Sequence, residues 1–175
     1  MVILDRDGVI NHDSPNYILS VEQFQPIPAS LEAIAKLNQA GIIVVVATNQ
    51  SAVGRGMMTE STLQAIHTSL IQQLAVYSGW LDQIYYCPHK PEDHCACRKP
   101  QPGLIQQALQ DWQISGEKTL LVGDSWRDLH AGLQAQCNTC LVKTGKGSNT
   151  FTQYADRLTG SYIANDLQDL VARML

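Results

Sequence analysis

Five short apolar runs alternate along the chain with stretches of helical periodicity, and this alternation most constrains the fold. The runs cover residues 2–4, 42–47, 84–87, 119–122 and 140–142. Apolar residues at helical spacing predict helices over residues 30–39, 60–78, 102–112, 129–136 and 166–175. Short strands that alternate with helices form βα units, and strands without polar alternation are covered on both faces. We therefore predict a Rossmann-like α/β fold with an open, mostly parallel sheet and helices on both faces.

Length and composition limit the possible organisation of the chain. A sequence of 175 residues with 45% hydrophobic residues supplies one sizeable core. Because it contains no internal repeat, low-complexity segment or long linker, we expect a single domain over residues 1–175. No exposed heptad pattern is visible, so we expect a monomer.

Charge and cysteine content bear on partners and location. The net charge of −4 disfavours a general nucleic-acid binder. No apolar stretch approaches the roughly 20 residues that cross a bilayer, so we expect no membrane partner. The five cysteines, an odd number, and an N-terminus without a signal-peptide pattern favour the reducing cytoplasm.

Polar residues follow three of the apolar runs at the points where strands are predicted to end. Asp5 and Asp7 follow the first run, Thr48 follows the second, and Asp124 follows the run over residues 119–122. Because the carboxyl ends of parallel strands lie along one edge of a sheet, these side chains should converge. Three carboxylates repel one another unless a cation lies between them, and their oxygens suit Mg²⁺, which also binds phosphate.

Two cations complete this set. Arg98 and Lys99 immediately precede the helix predicted to open near Pro102, where a positive charge can neutralise a substrate anion. Phosphoryl transfer needs a nucleophile, neutralisation of charge on the phosphoryl oxygens and a proton source for the leaving group. The carboxyls of Asp5 and Asp7 are candidates for the nucleophile and the proton source, and the two cations are candidates for charge neutralisation.

At this point the sequence resembles the haloacid dehalogenase (HAD) superfamily of phosphohydrolases over residues 2–147. The matching motifs are Asp5-Arg6-Asp7-Gly8-Val9, Thr48-Asn49-Gln50, Arg98-Lys99-Pro100 and Gly123-Asp124-Ser125-x-x-Asp128. No insert of roughly 60 residues or more lies between the motifs, where large caps occur in this superfamily, so the resemblance implies a capless enzyme with an open site.

The resemblance implies a role for each motif. Asp5 attacks phosphorus and forms an aspartyl-phosphate, while Asp7 protonates the leaving alcohol and then activates water. Thr48 and Lys99 hold the phosphoryl oxygens. Mg²⁺ is bound by Asp5, the backbone carbonyl of Asp7 and Asp124. We expect Asp7, turned away from the metal, to keep its proton near neutral pH.

Asp128 has two open interpretations in this resemblance. It supports either the metal shell or Lys99, rather than binding the metal directly. A further set of polar residues in the motifs is expected beside the substrate: Asn49, Gln50, Ser51 and Ser125.

A cluster of sulfur and imidazole ligands precedes the two cations. Cys87, His89, Cys95 and Cys97 form a complete tetrahedral set for structural zinc, with His94 as a competing ligand. A metal over residues 87–97 would rigidify a loop with little core of its own and aim the cations that follow it. The alternative is a set of free thiols with a surface histidine.

This zinc loop resembles that of two HAD families, the heptose 1,7-bisphosphate 7-phosphatases and the histidinol-phosphate phosphatases. Residues 48–56 and 98–103 resemble the heptose pattern, with Ala52 in place of the usual glycine. The five-residue spacer between His89 and Cys95 also suits the histidinol enzymes. The resemblance implies Mg²⁺-dependent removal of the C7 phosphate of D-glycero-D-manno-heptose 1,7-bisphosphate, in activated-heptose biosynthesis. Histidinol phosphate is the alternative substrate.

Substrate contacts are predicted at two further places. Arg98 and Arg55 are the cations available for the second phosphate of a bisphosphate, and Arg98 is the favoured one. Asp13, Asn16 and Tyr17 resemble a sugar-contacting segment, although it carries an extra residue and lacks the usual glycine.

Two functions other than a small-molecule phosphatase stay open from the sequence. One is a catalytically silent phosphate-binding module, and the other is a DNA 3′-phosphatase, which the acidic charge and the zinc loop disfavour. Residues 148–162 are predicted to be a loop without an assigned function.

Overall fold

A computed structural model describes residues 1–175, and its six strands form one parallel sheet. The strands are β1 (Val2–Leu4), β2 (Val44–Asn49), β3 (Gln83–Cys87), β4 (Leu120–Gly123), β5 (Asn138–Val142) and β6 (Tyr162–Ala164). Their order across the sheet is β3-β2-β1-β4-β5-β6, and every neighbouring pair is parallel. The predicted open parallel sheet is confirmed.

Seven α-helices connect or follow the strands. They are α1 (Pro28–Gln39), α2 (Ser51–Gly54), α3 (Glu60–Val76), α4 (Gly103–Asp111), α5 (Trp126–Gln134), α6 (Gly147–Gln153) and α7 (Leu167–Met174). Side-chain caps define two starts: Thr59 accepts a hydrogen bond from the Thr62 amide at 3.1 Å, and Asp166 accepts one from the Asp169 amide at 2.7 Å. None of the helices has the length and apolarity to cross a membrane.

The sheet is covered on both faces, which explains its uninterrupted apolar strands. Val2 and Leu4 of β1 point into a core cluster shared with α1, α3 and α7. Ile3, between them, points to the opposite face and packs in a second cluster with α4 and α5. Alternate side chains of one strand therefore belong to different layers.

Two predicted boundaries move by a few residues in the structure. The strand expected over residues 42–47 runs from Val44 to Asn49, so Thr48 lies within the strand end. Helix α5 begins at Trp126 rather than at Leu129, because Ser125 and Asp128 form a capping box that starts it earlier.

The loop predicted over residues 148–162 is wrong. This region contains most of α6, a short 3₁₀ helix at Ala155–Arg157 and the first residue of β6. The helix has weak intrinsic propensity, and tertiary contact stabilises it. The Thr150 hydroxyl is buried and donates a hydrogen bond of 2.9 Å to the Asp124 carbonyl. The missed helix therefore supports the end of β4.

Replacement of Thr150 by valine tests this support. We expect Thr150→Val to lower the free energy of unfolding by about 1–2 kcal/mol, because a buried carbonyl loses its donor. In the matched variant Thr152→Val, the hydroxyl removed is exposed and bonds only within α6, so its effect should stay within about 0.5 kcal/mol. Thermal unfolding distinguishes the two, and equal losses would contradict this role for Thr150.

Candidate active site

The polar residues at the strand ends line one cavity of about 290 Å³ at the carboxyl edge of the sheet. The loops after β1 and β4 supply its acids, the end of β2 supplies its hydroxyl, and the segment before α4 supplies its lysine. Five of its lining residues are the predicted core of the site: Asp5, Asp7, Thr48, Lys99 and Asp124. The topology thus brings together residues separated by more than a hundred positions in the chain.

A buried lysine lies at the centre of this arrangement. The Lys99 ammonium contacts Asp5 Oδ1 at 3.0 Å and Asp128 Oδ1 at 2.6 Å, and it donates to the Ala47 carbonyl at 2.7 Å. Asp5 Oδ1 also accepts a hydrogen bond from the Arg6 amide at 2.8 Å. Asp5 Oδ2 has no protein donor, so this oxygen is available to a metal or to phosphorus.

Asn49 fixes the backbone that carries Lys99. Its Oδ1 accepts a hydrogen bond from the Lys99 amide, and its Nδ2 donates to the Lys99 carbonyl, both at 3.0 Å. One side chain at the end of β2 therefore clamps the segment that reaches the cavity. Asn49 lines the cavity as well, but its amide group is committed to this clamp.

Asp128 contacts Lys99, which favours the second of the two interpretations left open by the sequence. Its Oδ1 pairs with the lysine, and its Oδ2 accepts hydrogen bonds from the amide and hydroxyl of Ser125. Burial raises the pKa of Asp128, but Lys99 and these hydrogen bonds outweigh it, so the pKa lies below the usual value. The Ser125 hydroxyl is used by this contact, and Ser125 does not line the cavity.

The carboxylates at this edge fit a divalent cation. One oxygen each from Asp5, Asp124 and Asp128 lie within 4.8 Å of one another. Burial, followed by repulsion from neighbouring carboxylates, raises the pKa of Asp124 to about 7. Burial likewise raises the pKa of Asp5 to about 6, against the effect of Lys99. Since Asp128 is occupied by Lys99, Asp5 and Asp124 are the side chains that would hold Mg²⁺.

Two glycines pack closely around Asp124. A Cβ atom at Gly8 or Gly145 would collide with the Asp124 carboxylate, and both residues have positive φ, 89° and 54°. Asp124 Oδ2 also accepts a hydrogen bond from the Lys146 amide at 2.8 Å. These contacts hold the carboxylate in one orientation, as a metal ligand requires.

Asp7 differs from its sequence-based prediction. Its carboxylate accepts hydrogen bonds from Arg6, from Asn11 Nδ2 at 2.9 Å and from Gln50 Nε2 at 2.9 Å. Burial raises the pKa of Asp7, but the Arg6 charge and these donors outweigh it, so the pKa lies below its ordinary value. This shift is opposite in direction to the one expected for a carboxyl that keeps its proton near neutral pH.

The sulfur and imidazole ligands converge as a second metal-binding group. The Sγ atoms of Cys87, Cys95 and Cys97 lie 3.1–3.6 Å apart. His89 Nδ1 lies 3.3 Å from Cys97 Sγ and 3.6 Å from Cys87 Sγ. Tetrahedral ligands at ordinary Zn–S distances are separated by about 3.7 Å, so the group fits zinc. His94 lies outside the group.

The zinc loop is joined to the cavity through Arg98. Its Nη1 donates to the His89 carbonyl at 3.1 Å. Ordering of the loop therefore also orders a guanidinium at the cavity.

The other predicted substrate residues divide into two sets. Those that line the cavity are Asp13, Tyr17, Asn49, Gln50, Ser51 and Arg98. Asn16 and Arg55 lie outside it, and Arg55 is 3.8 Å from Glu92. Asn16 lines a different cavity, formed by the segment between β1 and α1.

Sequence reasoning missed four residues that shape the site. Arg127 and Lys146 line the cavity, and Lys146 pairs with Asp13 at 2.8 Å. Arg6 and Asn11 bind Asp7. Arg127 had a usable signal, as a cation beside the Asp124 motif, whereas Lys146 lies in a stretch without a motif.

Asp124→Asn separates the stability of the site from its metal affinity. A carboxyl with a raised folded-state pKa costs stability above that pKa, and the cost declines as pH falls toward its unfolded value. Without metal, the variant should gain about 1–2 kcal/mol of unfolding free energy at pH 8 and less at pH 5. Millimolar Mg²⁺ should raise the Tm of the parent protein at pH 8 but not that of Asp124→Asn. An undiminished Mg²⁺ effect in the variant would exclude Asp124 as a ligand.

Cys97→Ser tests the zinc group. We expect the parent protein to contain about one zinc ion per chain by elemental analysis and the variant to lose most of it. Cys137→Ala is the matched control, because Cys137 is a buried cysteine outside the metal-binding group and its replacement should leave the zinc content unchanged. Full zinc occupancy in Cys97→Ser would contradict the ligand assignment.

Comparison with known proteins agrees with this geometry. Residues 96–170 match the family model described as HAD-hydrolase-like. The chain is 43% identical over 175 residues to the D-glycero-beta-D-manno-heptose-1,7-bisphosphate 7-phosphatase of Pseudomonas putida, covering 100% of this chain and 99% of that protein. It is 42% identical over 175 residues to the enzyme of the same name from Bordetella bronchiseptica, with 100% and 97% coverage.

Solved structures give the same result. The crystal structure of D,D-heptose 1,7-bisphosphate phosphatase from B. bronchiseptica, complexed with magnesium and phosphate, matches with a TM-score of 0.95 at 42% identity, covering 99% of this chain and 96% of that chain. The Burkholderia thailandensis enzyme matches with a TM-score of 0.78 at 36% identity over the same shares. The chain therefore belongs to the D-glycero-beta-D-manno-heptose-1,7-bisphosphate 7-phosphatase family of HAD phosphatases.

Proposed function

We propose that this protein removes the C7 phosphate from D-glycero-β-D-manno-heptose 1,7-bisphosphate in activated-heptose biosynthesis. The observation that carries the proposal is a free Asp5 oxygen beside Lys99, in a polar cavity that also contains Asp7 and Asp124. The names of the whole-length relatives support the substrate and its β anomer.

The first step is attack by Asp5 on the phosphorus of the C7 phosphate. Asp5 Oδ2 bonds to phosphorus as the bond from phosphorus to the C7 oxygen breaks. The departing oxygen takes a proton from Asp7, which takes up that proton from solvent when the phosphate dianion binds beside it. Lys99 holds Asp5 and neutralises charge on the phosphoryl oxygens, while the Thr48 hydroxyl donates to another of them.

The second step is hydrolysis of the aspartyl-phosphate. Asp7, now a carboxylate, accepts a proton from water as the water oxygen bonds to phosphorus and the bond to Asp5 breaks. Asp5 and phosphate are released, and the proton that Asp7 gained serves the next leaving group. Mg²⁺, held by Asp5, the Asp7 carbonyl and Asp124, supplies electrostatic stabilisation of the phosphoryl oxygens when bound.

A pair of guanidinium groups suits the phosphate that is not cleaved. Arg98 and Arg127 line both the catalytic cavity and an adjoining cavity of about 570 Å³. Burial and then the neighbouring Arg127 lower the pKa of Arg98, so a bound anion relieves an unfavourable juxtaposition of like charges. This arrangement supports a bisphosphate in preference to a monophosphate.

Residues 1–175 act as one catalytic domain and as a monomer on a small-molecule substrate. Five free cysteines, of which three belong to the zinc group, support a reducing cytoplasmic location.

Asp5→Asn tests the nucleophile. The variant should lose at least roughly 10³-fold in kcat, because an amide oxygen is a poor nucleophile toward phosphorus. Acid quenching of the parent enzyme during turnover of ³²P-labelled substrate should trap labelled protein, and the variant should yield none. Retention of full turnover by Asp5→Asn would refute the assignment.

Arg98→Ala tests recognition of the second phosphate. Its kcat/KM should fall about 10–100-fold for the 1,7-bisphosphate, because a charge-assisted contact is lost. The corresponding heptose 7-phosphate, which lacks the C1 phosphate, should show a much smaller loss. Arg55→Ala is the matched control, and it should change neither value because Arg55 lies outside the cavity. Equal losses for both substrates would contradict the role of Arg98.

A further inference from the structure

Arg6 lies between the two catalytic aspartates in sequence, yet its side chain is almost completely buried, with 1% of it exposed. It does not line the catalytic cavity. A buried guanidinium is costly unless it is paired and hydrogen-bonded. The buried charge of Arg6 therefore requires an anionic partner that hydrogen-bonds to it.

That partner is Asp7. Arg6 Nε donates to Asp7 Oδ1 at 3.0 Å, and Nη2 donates to Oδ1 at 2.8 Å and to Oδ2 at 2.9 Å. The planar fork thus grips the carboxylate through both oxygens, a geometry that an ammonium group cannot reproduce. The carboxylate is fixed in plane as well as in position.

The surroundings of Arg6 offer no competing anion. Its guanidinium carbon lies 5.7 Å from the centre of the Phe24 ring, and Nη1 lies 3.5 Å from His67 Nε2. Burial and then the Arg6 charge lower the pKa of His67 to about 4, so this histidine is neutral. Asp7 is the only carboxylate paired with Arg6.

The opposite side of Asp7 is tied to the phosphate-binding residues. Gln50 Nε2 donates to Asp7 Oδ2 and to the Thr48 hydroxyl, both at 2.9 Å. Asp7 Oδ1 accepts three hydrogen bonds, two from Arg6 and one from Asn11. Asp7 Oδ2 accepts two, one from Arg6 and one from Gln50. Oδ2 is therefore the less saturated oxygen and the one linked to the phosphate side.

We infer that Arg6 is a positioning residue that orients the Asp7 carboxylate for proton transfer at Oδ2. As the leaving oxygen separates from phosphorus, it takes the proton from Oδ2, and Arg6 stabilises the carboxylate that remains. In the next step Oδ2 accepts a proton from the attacking water, so no external acid is consumed. This inference rests on the proposed phosphatase activity.

The leaving group provides a readout specific to this role. Loss of general-acid assistance slows the departure of an alkoxide far more than that of p-nitrophenolate, which is stable without a proton. Because kcat/KM reports the first irreversible step, it isolates departure of the alcohol from later hydrolysis of the aspartyl-phosphate. The comparison therefore uses kcat/KM for the heptose bisphosphate and for p-nitrophenyl phosphate.

Arg6→Lys keeps the charge but removes the fork, and Arg6→Met keeps much of the volume but removes both. We expect kcat/KM for the sugar phosphate to fall roughly 10–100-fold in Arg6→Lys and further in Arg6→Met, with less than about threefold loss for p-nitrophenyl phosphate. Asp7→Asn should show the same selectivity, and adding Arg6→Met to it should cause little further loss. Phe24→Leu, which alters the same buried region without touching Asp7, should affect both substrates equally.

Equal losses on both substrates in the Arg6 variants would overturn the inference. Loss of folding in both variants, seen by circular dichroism, would also overturn it by assigning Arg6 a structural role. If the parent enzyme instead prefers another alkyl phosphate, the substrate proposal fails. The same comparison with that alkyl phosphate then still tests Arg6.

Discussion

The ion pairs of Lys99 are the interaction on which the rest of the site depends. An ammonium that is 2% exposed is held by two carboxylates and a backbone carbonyl, and these contacts together satisfy its charge. Removal of either carboxylate leaves a buried charge without full compensation. One of these carboxylates is Asp5. The contact that compensates the buried charge of Lys99 therefore also orients the nucleophile.

The parallel sheet makes this convergence possible. Asp5 follows β1, Ala47 and Thr48 belong to β2, and Asp128 lies on the helix that follows β4. These are neighbouring strands in the sheet, with β1 at the centre of the three. Their carboxyl ends open at one edge, where no backbone continues the sheet and a ligand can approach. Helix layers on both faces keep that edge rigid.

Much of this arrangement could be predicted from the sequence, because the relevant signals are local. Uninterrupted apolar runs and the polar residues after them indicated the strands and the edge that collects Asp5, Thr48 and Asp124. The spacing of Cys87, Cys95 and Cys97 indicated the zinc group. The fork of Arg6 on Asp7 could not be predicted, because it depends on burial that brings Phe24 and His67 around the guanidinium. Helix α6 was missed for a similar reason, since a contact to β4 stabilises it rather than its own propensity.

The substrate is the central claim, and a comparison of kcat/KM in one phosphate-release assay tests it most directly. The substrates are both anomers of D-glycero-D-manno-heptose 1,7-bisphosphate and histidinol phosphate, each with Mg²⁺. We predict a large preference for the bisphosphate over histidinol phosphate, because Arg98 and Arg127 form a cationic pair at the catalytic cavity. We predict the β anomer to be preferred, because the whole-length relatives are named for it. A preference for histidinol phosphate would contradict the substrate assignment.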